Sequence, residues 1–157
     1  MMKQNVKTLL IALAIPLAVG GLATLLSGGM GDYRMLNQPP LSPPGWVFPI
    51  VWTVLYLLMG YSSYRVYTSG KPQAQISRAL RLYGAQLLFN FIWPIVFFAF
   101  NWYLGAFIVL LVLWVLILLT LRAFTAIDET AGDLLIPYIL WVTFAGYLNL
   151  GVYLLNG

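Results

Sequence analysis

The sequence predicts an all-α integral membrane protein, a bundle of five transmembrane helices with a long first loop as a lid. Composition is the first reason: 62% of the 157 residues are hydrophobic and only 8% are charged, where soluble domains carry about 25%. Pattern is the second, because the apolar residues gather into five runs, each near the roughly 20 residues that a bilayer core requires. Five spans with short connections fill the chain. Residues 1–157 therefore read as a single transmembrane domain.

The first span, 6–27, is apolar apart from Lys7, two threonines and the closing Ser27. It exceeds the roughly 7 to 15 residue core of a signal peptide and is read as retained. Ala12, Pro16, Gly20 and Thr24 recur every four residues, a small-residue face that permits close helix approach, to a neighbour in the same chain or in a second one. The other spans are 46–67, 76–98, 102–124 and 133–155. Pro16, Pro49, Pro94 and Pro137 fall within or near span ends, where kinks rather than breaks are expected. Asp128, Glu129 and Asp133 precede the fifth span and read as a solvated loop and helix cap, since acids favour a helix N-terminus.

Alternating the connections puts Lys3, Lys7, Arg65, Lys71, Arg78, Arg81 and Arg122 on one side of the membrane and Arg34 alone on the other. By the positive-inside rule the N-terminus is cytoplasmic and, five being odd, the C-terminus is outside. The same asymmetry favours the plasma membrane. The net charge of +4 forms no basic stripe, so the expected partner is the lipid bilayer and not nucleic acid. With no Cys and no His, disulfides, thiolate nucleophiles and the commonest metal ligand are excluded. No metal site and no intrinsic cofactor are expected. The helix interiors hold no ionisable group at mid-depth, which argues against an ion pump, a proton relay or a Schiff-base photoreceptor.

Three features can carry chemistry. The connection from Gly28 to Gly45 reads GGMGDYRMLNQPPLSPPG, longer than the roughly 12 to 15 residues beyond which a loop without structure is usually functional or disordered. Four prolines stiffen its second half, which suits a lid and equally a plain surface loop. Aromatic residues make up 16% of the chain. Trp46, Tyr67, Trp102 and Tyr103 sit at span ends as interfacial anchors, whereas Trp52, Trp93, Trp114 and Trp141 lie deeper. Helical spacing draws three stripes that could face one cavity: Pro49, Trp52, Tyr56 and Ser63; Gln86, Asn90, Trp93 and Phe97; Pro137, Trp141, Phe144, Ala145 and Leu148. Gln86 and Asn90 form the third feature. Unpaired amides in hydrocarbon are costly, so both should point inward, to a neighbouring helix or to a ligand. Asn149 reads as an interhelix bond.

The runs PPLSPPGWVFPIVWTVLYLLMGYSSY at 39–64, LYGAQLLFNFIWPIVFF at 82–98 and LLIPYILWVTFAGYLNL at 134–150 resemble the TspO/MBR family, the tryptophan-rich sensory and translocator proteins also called peripheral benzodiazepine receptors. The resemblance covers nearly the whole chain. It implies a five-helix bundle, often a homodimer, with the first loop folded over a cavity that binds protoporphyrin IX, haem and benzodiazepine-site drugs. Carried over by position, the ligand contacts are Tyr33, Pro43, Trp52, Asn90, Trp141 and Ala145, four of which lie on the stripes drawn above. Trp52 and Trp141 are the pair that the resemblance puts at the centre of light-dependent porphyrin breakdown, and hence the catalytic candidates.

Two departures qualify the resemblance. Leu150 and Tyr153 are followed by LLNG with no basic residue, so the C-terminal cholesterol pattern of animal members is incomplete. Gly84 is followed four residues later by Leu88 instead of a small residue, which weakens a dimer contact through that face. Three functions stay open: a tetrapyrrole-binding sensor, scavenger or carrier; a strict photo-oxidative porphyrin-degrading enzyme; and a secondary transporter of sterols or small molecules.

Overall fold

Long apolar runs with few breakers should fold into helices that satisfy their own backbone groups, the main option open to a chain in lipid. The structure is a computed structural model, described here for residues 2–28 and 35–157. Its described residues form α1 (Met2–Ser27), α2 (Val47–Tyr67), α3 (Gln73–Pro94), a π-helical turn (Ile95–Ala99), α4 (Tyr103–Ile127), a short α5 (Glu129–Asp133) and α6 (Ile136–Asn156). Five stretches are long and apolar enough to cross a membrane, the fifth running through α5 and α6 from Glu129 to Asn156. The chain is a multi-pass membrane protein whose environment is the bilayer. α3 packs along α4, α1 along α2, and α4 against α6. Large apolar side chains such as Leu10, Leu25, Ile108 and Leu140 face outward, where lipid covers them.

The prolines do less than expected. Pro49 is the third residue of α2 and Pro137 the second of α6. In a first turn the missing N–H would have had no partner in any case, so neither bends its helix by losing a bond. Pro16 is interior to α1. Pro94 ends α3, and the backbone widens into the π turn, closed by the Phe100 amide on the Ile95 carbonyl at 3.1 Å. At the other end of the bundle, Asp128 caps α5 as its acidic position predicted. Its side chain accepts from the amides of Thr130 (2.9 Å) and Ala131 (3.3 Å) and pairs with Arg65 of α2 at 3.0 Å. Partial burial pushes the Asp128 carboxyl up, but the Arg65 guanidinium and the two amides outweigh it and hold the carboxyl below the usual carboxylate range.

Lipid is as apolar as leucine, so helices in it associate through shape and polar bonds rather than through a hydrophobic drive. The first span shows the role of shape. A methyl group on Gly60 of α2 would run into the backbone of Ala12 and Leu13, and one on Gly20 into the Tyr56 ring. The small-residue face of α1 thus finds its close neighbour, α2, in the same chain.

Candidate functional site

At the end of the bundle where α1 finishes and α2 begins, the helices enclose a cavity of about 190 Å³. α1 supplies Gly20, Ala23, Thr24 and Ser27; α2 supplies Phe48, Pro49, Trp52 and Tyr56. α3 and the π turn add Asn90, Trp93, Pro94, Phe97 and Phe98, α4 adds Leu110 and Leu113, and α6 adds Trp141, Val142, Ala145, Leu148 and Asn149. Phe97 and Phe98 are neighbours in sequence yet both reach the wall. They belong to the π turn, a distortion that recurs at functional sites.

Below the cavity runs a chain of buried hydrogen bonds across α2, α3 and α6. The Tyr56 hydroxyl donates to Asn90 Oδ1 (2.9 Å), Asn90 Nδ2 donates to the Tyr138 hydroxyl (2.7 Å), and that hydroxyl donates to Gln86 Oε1 (2.6 Å). Gln86 Nε2 ends the chain on Met59 Sδ at 3.9 Å. A second link ties α3 to α6 and α4: Trp93 Nε1 donates to Asn149 Oδ1 and Asn149 Nδ2 donates to the Tyr103 carbonyl, both at 2.9 Å. Each phenol and indole N–H here serves one bond, which is how buried polar groups become tolerable.

The buried indole N–H of Trp141 has no such partner. Among the described residues, the buried side-chain polar atoms without a hydrogen-bond partner are Trp141 Nε1 and Tyr83 Oη. Tyr83 packs against Phe124 and is not on the cavity wall. Trp141 is held by Phe48 (ring centroids 5.8 Å) and Phe144 (5.6 Å). Trp52 is held by Tyr56 (5.6 Å) and Tyr138 (6.3 Å). The cavity is thus an apolar, aromatic slot, and the Trp141 N–H in its wall is buried without a partner.

Of the residues singled out from sequence, Trp52, Asn90, Trp141 and Ala145 lie together on this wall. Pro43 is half-buried in the loop and is not among the lining residues, and Tyr33 lies outside the described residues. Gln86 and Ser63 belong to the drawn stripes but sit below the cavity, Ser63 bonded to the Gly60 carbonyl at 2.8 Å. Trp114 joins α4 to α6 through Thr143 at 2.8 Å. Asn149 makes the interhelix bonds expected of it. The hub that sequence reasoning missed is Tyr138, 1% exposed. Its spacing of three from Trp141 and seven from Ala145 was the available signal.

The described half of the first loop folds onto the end of α6. Asn37 and Asn156 exchange two bonds, the Asn37 amide to Asn156 Oδ1 (3.1 Å) and Asn156 Nδ2 to the Asn37 carbonyl (2.8 Å). The Tyr147 hydroxyl donates to the Pro40 carbonyl at 2.6 Å. Leu36 packs into a small cluster with Phe97 and Val152, which places the loop next to the cavity's π turn.

The sequence profile of the TspO/MBR family matches residues 10–155. The "Tryptophan-rich protein TspO" of Chlorobaculum tepidum is 33% identical over 157 residues, covering 99% of both chains. The "Tryptophan-rich sensory protein" of Cereibacter sphaeroides is 41% identical over 127 residues, 79% of this chain and 76% of that one. The "Translocator protein" of Ovis aries is 35% identical over 138 residues, 86% of this chain and 82% of that one.

Proposed function

The chain belongs to the TspO/MBR family, and from that premise we propose that its cavity binds tetrapyrroles, protoporphyrin IX or haem, and flat apolar drugs of the benzodiazepine-site type. The protein then acts in porphyrin sensing, scavenging or transport. The observation that carries this reading is the wall itself, where Trp52 and Trp141 border one apolar space and Trp141 keeps an unpaired buried N–H. Indole faces suit a flat conjugated ring, and apolar burial contributes about 25 cal/mol per Å². Once a wall moves, the buried N–H of Trp141 can give a directional bond to an acceptor on the ligand.

The cavity of about 190 Å³ is smaller than the roughly 300 to 1,000 Å³ of pockets that take drug-sized ligands. A tetrapyrrole therefore enters only as a wall moves. Light-dependent breakdown is the chemistry this wall supports without His or Cys. An indole touching a photoexcited macrocycle gives it an electron, the ring radical anion passes that electron to dioxygen, and the indole radical cation recovers one from the ring, so that ring cation and superoxide combine as an oxygenated porphyrin; Trp52 and Trp141 are the relays. Enclosure limits escape of reactive species.

The reading extends to topology and assembly. Lys7, Arg65, Lys71, Arg78, Arg81 and Arg122 belong to the end of the bundle opposite the cavity, which we assign to the cytoplasmic side of the plasma membrane. The homodimer that the family resemblance implies is part of this reading, with no face assigned to it, since exposed Leu88 stands four residues from Gly84 on α3.

The test is a titration of purified protein with protoporphyrin IX, followed by absorbance and Trp fluorescence, in darkness and then in light. Saturable quenching is expected for the wild type and for a Trp52→Phe/Trp141→Phe variant, with spectral loss under light in the wild type alone. Equal loss in both removes the tryptophans from the chemistry. Binding without loss leaves a sensor or carrier, and absence of quenching overturns the tetrapyrrole reading.

A further inference from the structure

The far end of the bundle holds a feature that the cavity does not use. Arg78, Arg81 and Leu82 on α3, and Leu119, Arg122, Ala123 and Ala126 on α4, line one shallow groove of about 690 Å³. The spacing of three and four puts each set on one helix face, and because α3 and α4 pack along each other the two faces meet. All three arginines are exposed.

Their charge is not answered from within the protein. Among the described residues the single ion pair is Arg65–Asp128, so Arg78, Arg81 and Arg122 have no carboxylate within salt-bridge distance. Arg65 shows the contrast, its guanidinium donating to both Asp128 oxygens and to the Tyr61 hydroxyl. Arg81 uses Nε on the Ser77 carbonyl of its own helix at 3.4 Å, an anchor that orients the guanidinium and leaves its two amino groups uncommitted.

Depth and shape say what would answer the charge. Arg81 lies ~12 Å along the axis from the start of α3 and Arg122 ~8 Å from the end of α4, at 1.5 Å per residue. Counted from the opposite ends of the two spans, Ala99 and Tyr103, they lie ~27 and ~29 Å away, close to the roughly 30 Å of hydrocarbon core, so both sit where hydrocarbon gives way to headgroups. Ala123 and Ala126 leave room between the guanidiniums. Leu82 and Leu119 continue the groove toward the membrane interior, and exposed Val115 extends the same face of α4. A cationic mouth over an apolar track matches one molecule with an anionic phosphate and an acyl chain. Guanidinium forks fit phosphate oxygens, and basic pockets between helices at this depth suit anionic headgroups.

We propose that the α3–α4 groove is a binding site for an anionic phospholipid, with its phosphate on Arg78, Arg81 and Arg122 and an acyl chain along Leu82 and Leu119. A free phosphate would leave the apolar track uncovered. The whole chain in detergent, with equal dioleoyl phosphatidylglycerol and dioleoyl phosphatidylcholine, is measured by native mass spectrometry at fixed ionic strength. The wild type should retain one phosphatidylglycerol preferentially. Arg122→Gln should cut that preference roughly fivefold and Arg78→Gln/Arg81→Gln/Arg122→Gln roughly a hundredfold, at about 1 kcal/mol per basic residue. Lys71→Gln, at the same end but outside the groove, should leave it unchanged. Equal retention of both lipids, an equal loss in Lys71→Gln, or displacement of the lipid by millimolar inorganic phosphate would overturn the proposal. Should the triple variant fail to fold, Arg122→Gln against Lys71→Gln decides it alone.

Discussion

Gly20, Ala23 and Thr24 on one side of the cavity and Asn90, Trp93 and Asn149 on the other face the same space, but different forces hold them. The side-chain hydrogen bonds of Thr24 and Ser27 close on carbonyls of α1 itself, Gly20 at 2.9 Å and Thr24 at 3.0 Å. Those of Asn90, Trp93 and Asn149 cross between helices. The first span has 17% of its most apolar stretch buried, the last 39%. Without a hydrophobic drive between helices in lipid, α1 is held by the fit of small residues against α2. The opposite wall is bolted by polar bonds. The wall of polar bonds is therefore expected to act as a fixed template, and the α1 wall to yield when a ligand larger than the cavity enters.

The strongest way to break this comparison is Gly60→Leu. The added side chain meets α1 backbone, which cannot rotate away, and overpacking of this kind costs about 3 kcal/mol. Thermal unfolding in detergent should drop by several degrees, and a loss below about 1 kcal/mol would mean that shape does not hold α1. Next comes Tyr138→Phe, which leaves Asn90 and Gln86 each short of a partner and should cost on the order of 2 kcal/mol. If the template wall is as rigid as described, that variant also loses ligand affinity although Tyr138 is not on the cavity wall.

Trp141→Phe sharpens the site rather than the fold. It removes the unpaired N–H and keeps the aromatic body, so protoporphyrin IX affinity should fall about fivefold, one hydrogen bond's worth, with melting temperature unchanged. The smallest effect belongs to the far end. Asn at position 128 keeps a capping oxygen but loses the charge facing Arg65, so Asp128→Asn should lower the melting temperature slightly at neutral pH. The carboxyl's folded pKa is depressed, so its contribution is full above the unfolded value, about 3.9, and is lost as pH falls through the folded one. The gap between wild type and variant should therefore begin to narrow below about pH 4 and close only below the depressed folded value, and a gap that persists there would assign the effect to the cap.

Much of this was legible because bilayer thickness leaves few choices. Five apolar runs in order could hardly be anything but five spans, and the acids before the last one could hardly avoid a helix start. The cavity was half legible. Stripes on single helices found Trp52, Asn90, Trp93 and Trp141, since a period of 3.6 is local information. They overreached along each helix to Ser63 and Gln86, because a stripe says which face is inward and not how deep the opening goes. The wall from α1 was seen as a packing face and not as cavity lining. Where two helices separate depends on contacts such as Gly60 against Ala12, which no single span encodes. The π turn after Pro94 was read as a kink, because a proline marks the end of α-helical bonding without saying what register follows.

The yielding wall is tested most directly by distance. With no native Cys, introduced cysteines are the only labelling sites, and Leu25, Leu104 and Leu154 are exposed on α1, α4 and α6. Spin labels at Leu25→Cys/Leu154→Cys and at Leu104→Cys/Leu154→Cys report the α1 wall and the bolted wall by pulsed dipolar spectroscopy, with and without protoporphyrin IX. The account predicts that saturating ligand lengthens the first distance and leaves the second unchanged. Stoichiometric binding with the first distance unmoved, or with the second moving as far, would contradict it.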